Sequence, residues 1–135
     1  MNMLELRASD VTIRGIDFWG AYGVADGIRI ISGHRITIEG CRFFQLGGIA
    51  VAATHTSAQG LTVRGNSIED SRATGMYFGC HDGIGCAISG LLVEGNYIHG
   101  VSAPNPEIGY GIQVKLNSSG VIRAAPLGRF LPRLA

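Results

Sequence analysis

Val11-Thr-Ile-Arg-Gly-Ile-Asp-Phe18 is echoed by Ile36-Thr-Ile-Glu-Gly-Cys-Arg-Phe43, Leu61-Thr-Val-Arg-Gly-Asn-Ser-Ile68 and Leu91-Leu-Val-Glu-Gly-Asn-Tyr-Ile98, at steps of 25, 25 and 30 residues. A shorter unit alternates with this octapeptide: Gly27-Ile-Arg-Ile30, Gly48-Ile-Ala-Val51, Gly75-Met-Tyr-Phe78 and Gly111-Ile-Gln-Val114. Self-similarity at such a period marks a stacked architecture. Apolar residues fall at alternate positions and are mostly β-branched or aromatic, so both units read as strands. The glycine inside the octapeptide, twice followed by asparagine, suits a tight bend because both residues tolerate positive φ. Each repeat therefore carries three short strands.

One such repeat cannot bury its own apolar side, whereas stacked repeats can. Successive coils then pair in parallel, ~4.8 Å apart. The expected inward columns are Ile28, Ile49, Met76 and Ile112; Val11, Ile36, Leu61 and Leu91; and Phe18, Phe43, Ile68 and Ile98. Ile16, Cys41, Asn66 and Asn96 form a bend column, in which stacked asparagines can hydrogen-bond along the axis. An outward column alternates in sign, with Arg14, Glu39, Arg64 and Glu94, and Arg123 can continue it. Asp17 faces Arg42 in the neighbouring column. In-register stacking sets each charge beside its opposite, and a slip would destroy the pairing.

Composition narrows the function classes. The chain has 135 residues, one domain or a piece of one, with 46% hydrophobic and 16% charged residues. That balance excludes disorder. A net charge of +1 excludes a strongly basic nucleic-acid binder and a polybasic membrane anchor. No apolar run is long enough to cross a bilayer, and Met1 to Arg7 has no signal-peptide pattern. The three cysteines, Cys41, Cys80 and Cys86, lack C-x-x-C metal spacing. Cys80 and Cys86 would bond in an exported protein and stay reduced in a cytoplasm. No metal and no cofactor is expected.

The Gly-Ile-x-Val unit, followed by the x-Ile-x-x-Asn-x-Ile motif, resembles the repeats of the pectin-lyase-like superfamily. The resemblance spans roughly residues 4 to 120. It implies an all-β fold, a right-handed single-stranded parallel β-helix of about four to five coils over residues 4–122. Residues 123–135 form a non-repeat tail, a cap or a truncated end, because Pro126 disfavours an interior strand. The family's members include polysaccharide lyases, epimerases, glycoside hydrolases, a metal-accessory protein and phage tailspikes. The resemblance therefore implies a carbohydrate-binding or carbohydrate-active segment working on an extended polysaccharide, outside the cell or in a periplasm. A non-catalytic structural or adhesion module, or a metal-accessory protein, is the alternative, since fold does not choose among functions. Uncapped coils also leave end-to-end self-association open.

All variation in repeat length falls on the two sides of the Gly-Ile strand column, which places two irregular rims along a flat strip. The strip's expected outward residues are Arg29 and Ile31, Ala50 and Ala52, Tyr77 and Gly79, and Gln113 and Lys115. His34, His55, His81 and Asp82 lie on one rim, with Asp26 and Pro104 to Tyr110 on the other. Arg29, His55, Tyr77 and Gln113 are the expected substrate-binding residues. His81, Asp82 and Lys115 are the expected catalytic set, because an imidazole or amine abstracts a proton beside a carboxylate while a cation neutralises the developing charge. His34 and His99 read as structural.

Overall fold

The computed structural model describes residues 2–21, 23, 25–102 and 109–124. Among these, the chain forms only β-strands and turns, with no helix. The strands stack as a parallel β-solenoid of about five turns. The first sheet runs β1 (Asn2–Arg7), β4 (Asp26–Ser32), β7 (Val51–Ala53), β11 (Met76–Phe78) and β15 (Ile112–Val114). The second holds β2 (Thr12–Arg14), β5 (Thr37–Glu39), β9 (Thr62–Arg64), β13 (Leu91–Glu94) and β16 (Gly120–Arg123). The third holds β3 (Asp17–Ala21), β6 (Arg42–Leu46), β10 (Ser67–Glu69) and β14 (Tyr97–His99). A short fourth pairs β8 (Ala58–Gln59) with β12 (Ile88–Ser89).

Three corner columns make the chain turn. Gly15, Gly40, Gly65 and Gly95 sit at φ between 61° and 67°, inside the octapeptide. Asp10, Arg35, Gly60 and Gly90 precede it, and Gly20, Gln45, Asp70 and Gly100 follow it, all with positive φ. A non-glycine residue costs roughly 1–2 kcal/mol in this conformation. At Asp10 and Arg35 stacking offsets part of the cost, since the guanidinium grips both carboxylate oxygens at 2.6 and 3.0 Å.

The register is that of the repeat for most of the molecule. Phe18, Phe43, Ile68 and Ile98 are direct partners in successive strands, and the Phe18 and Phe43 rings stack at 5.0 Å. Arg14, Glu39, Arg64, Glu94 and Arg123 follow one another in the second sheet. Glu39 accepts from Arg14 at 2.7 Å and from Arg64 at 2.8 Å. Arg42 reaches Asp17 at 3.4 Å. In the bend column Asn66 Oδ1 accepts the Cys41 N–H at 2.9 Å, and Asn96 Oδ1 accepts the Asn66 N–H at 2.9 Å.

One expected column is corrected. The residue between Ile28 and Met76 is Val51, not Ile49. Gly48 does not stand level with Gly27; its N–H donates to the Ala25 carbonyl at 2.9 Å. Asp26 Oδ1 then accepts the Ile49 N–H at 2.8 Å and holds that residue outside the column. Gly27 instead sits so close to Ala50 that a Cβ there would lie 2.6 Å from the Ala50 carbonyl oxygen. The shift buries Ala50 completely in the core, so it is not an outward residue of the strip. The outward row reads Glu5, Arg29, Ala52, Tyr77, Gln113.

Candidate functional site

Moving Ile49 out of the core gives the strip a wall. A cavity of about 280 Å³ opens over the first sheet, lined by Ile49, Ala73, Thr74, Tyr77, His81, Tyr110 and Gln113. Tyr77 and Gln113 face outward from β11 and β15 as direct neighbours in the ladder. His81 enters from the loop that the Cys80–Cys86 disulfide closes, a ring with a sequence separation of 6. Its Nδ1 lies 2.9 Å from the Tyr77 hydroxyl. With the ring proton on Nε2, the hydroxyl donates to Nδ1 and the second nitrogen is left to face a ligand. The tyrosine and histidine rings lie nearly parallel, with centroids 6.4 Å apart.

The remaining expected residues are placed elsewhere. The Lys115 amine lies 5.6 Å above the Tyr77 ring centroid, a cation–π distance, but does not line the cavity. The Asp82 carboxylate folds into its own loop, where Oδ1 accepts the N–H groups of Ile84 and Gly85 at 2.9 and 3.0 Å. Those donors from Gly85 and Ile84 hold its pKa below the ordinary carboxylate range. Asp82 thus shapes the turn that carries His81.

Arg29 and His55 belong to a separate cluster on the strip. The Arg29 guanidinium donates to Asp26 at 2.6 Å and to Thr54 Oγ1 at 2.7 Å. It also lies 2.8 Å from His55 Nδ1. Arginine has no acceptor, so Nδ1 must accept and His55 carries its proton on Nε2. Asp26 and Thr54 are buried. Asp26 is the hinge between the two regions, one oxygen on Arg29 and the other on the Ile49 amide.

Thr74 and Ala73 have no signal in the sequence, and Ile49 is expected there in an inward column rather than at the site. Tyr110 is legible only as the end of the Pro104 to Tyr110 rim segment, most of which (104–108) lies outside the described residues. His34 occupies a turn, accepting the Gln59 N–H at 3.0 Å. Among the described residues, no three histidine, cysteine or acidic side chains converge as metal ligands. Searches of protein-family models, curated proteins and solved structures return no match for this chain, so the site is read from its own chemistry.

Proposed function

We propose that the protein binds an extended polysaccharide along the outward strip of the first sheet, with one sugar unit seated in the cavity of Tyr77, His81, Tyr110 and Gln113. The observation carrying this reading is the composition of that cavity. The exposed Tyr110 ring and the Ile49 and Ala73 side chains offer apolar surface, and the Tyr77 and Thr74 hydroxyls, the His81 imidazole and the Gln113 amide offer polar contacts beside it. A pyranose has the complementary character, with apolar C–H faces and hydroxyl edges. A few polar groups set in an apolar lining is the usual make-up of a small-ligand site, and 280 Å³ lies just below the usual range of such sites, enough for one sugar unit rather than several. The resemblance to the right-handed helices of the pectin-lyase-like superfamily points to the same ligand class.

Binding is better supported than cleavage by hydrolysis. A glycoside hydrolase needs two carboxyl groups across the scissile bond. Here Asp82 is held by backbone amides and Asp26 by Arg29. A β-eliminating lyase is the second reading, favoured by Lys115 lying over the tyrosine that holds His81. Calorimetry against a polysaccharide panel tests the proposal. Tyr110→Ala is expected to weaken the best ligand at least ~10-fold, about 1.4 kcal/mol, as loss of an exposed stacking face. Ultraviolet absorbance from a new double bond in the product would establish the lyase. Absence of binding to every glycan would leave a structural solenoid.

A further inference from the structure

The repeat lengthens at one place in the fourth coil. Between Phe78, which pairs with Ala53, and Ile88, which pairs with Ala58, the chain runs through residues 79–87. The coil below covers the same corner with residues 54–57. The excess of five residues is the whole difference between the octapeptide steps of 25 and 30. Stacking is regular on both sides of it. Gly79 N–H donates to the Ala53 carbonyl at 2.9 Å, and Ala87 N–H to Ser57 Oγ at 3.2 Å. The surplus is therefore residues 81–85, which lie between the bonded Cys80 and Cys86.

The core gains nothing from this insert. Its one large apolar side chain, Ile84, is 84% exposed, and His81 and Asp82 are exposed as well. The disulfide holds the two ends 5.1 Å apart at Cα, little more than the ~3.8 Å between adjacent residues, so the coil is tied off beneath the loop. What the insert does have is internal order. Gly83 N–H donates to the Cys80 carbonyl at 2.9 Å, the Asp82 carboxylate accepts from Ile84 and Gly85, and Asn117 Nδ2 donates to the Gly83 carbonyl at 2.8 Å. Order without burial serves the residue it presents. That residue is His81, whose ring meets Tyr77 and lines the cavity.

We propose that residues 81–85 are a recognition insert: the solenoid carries them without needing them, and they select the ligand by fixing His81 at the cavity. The inference rests on the glycan-binding reading above. With the Tyr77 hydroxyl on Nδ1, the imidazole keeps Nε2–H for the ligand, so the insert favours a sugar that offers an oxygen acceptor at that edge. The short disulfide ring leaves the loop few conformations to lose, which lowers the ordering cost when a ligand binds.

The test pairs thermal unfolding with calorimetry, on the parent and two variants. One variant lacks residues 81–85 and carries Cys80→Ser and Cys86→Ser, which restores the corner length of the coil below. The other is His81→Ala. The deletion is expected to melt within ~3 °C of the parent. It is also expected to bind the best glycan of the panel at least ~10-fold more weakly. His81→Ala is expected to lose as much affinity with its melting unchanged. A deletion variant that fails to fold, or melts well below the parent, would place the segment in the fold and overturn the insert. Parent-like affinity in either variant would overturn its role in recognition. If the parent binds no glycan, or Tyr110→Ala binds as the parent does, the failure lies in the glycan reading instead, and melting of the deletion variant still decides whether the solenoid needs the segment.

Discussion

Asn66 does more than fill a bend. It is almost fully buried, yet its side chain satisfies three groups: it accepts from the Cys41 N–H and donates to the Ile38 carbonyl and to Asn96 Oδ1. Asn66→Ala leaves the buried Cys41 N–H without its partner and takes a donor from the Ile38 carbonyl and from Asn96 Oδ1, at ~1–3 kcal/mol for each buried group left unsatisfied. We expect a loss of about 2–4 kcal/mol in urea unfolding, with the slope of the transition unchanged. Cys41 sits one coil earlier in the same column. Its sulfur lies 3.8 Å from the Ile13 carbonyl, the counterpart of the bond Asn66 makes to Ile38. Burial raises the thiol's pKa and keeps it protonated, so it contributes a weak donor only. Cys41→Asn extends the amide ladder by one step and is expected to raise stability by ~1 kcal/mol in the same assay.

At the scale of the element, the strand register divides two residues that look alike in sequence. Val51 is buried in the core and Ile49 faces the cavity. Val51→Ala should cost ~2 kcal/mol of stability, close to the burial energy of the lost methyl groups. Ile49→Ala should leave thermal unfolding nearly unchanged and weaken ligand binding. The opposite pattern would restore the glycine-anchored register. The signal for the right register was present: Val51 and Met76 are 25 residues apart, the same step as Phe43 to Ile68, whereas Ile49 breaks it. The Gly-Ile dipeptide concealed that count. The charged and aromatic columns were legible because both strands of the octapeptide keep a fixed distance to their corner. The site was legible only in part, because its walls come from loops of unequal length. No period tells whether Asp82 turns outward or, as found, back to Gly85. The ladder also sets an acid limit. Hydrogen bonds from Arg64 and Arg14 hold the Glu39 pKa below its ordinary value of 4.5. A lowered folded-state pKa gives stability that is present above the ordinary value and is lost as pH falls through the folded one. The melting temperature is therefore expected to fall below about pH 4.5, and Glu39→Gln to make that fall shallower.

In the whole molecule, coils contribute through contacts with their neighbours, so position along the axis matters more than depth from a centre. The middle coils are dry, with Ile38, Val63, Ile68 and Met76 fully enclosed. At β15 and β16 the side chains are half-buried or exposed. The alternating row has an odd number of described members and so carries the same sign, arginine, at Arg14 and at Arg123. Each described step of the row sets opposite charges on neighbouring strands, so removing any single inner coil would bring like charges together. A variant lacking residues 36–60 places Arg14 beside Arg64, and it is expected to melt lower than the parent and to regain part of the loss as salt is added. An alternating row of this kind thus favours the gain or loss of coils two at a time.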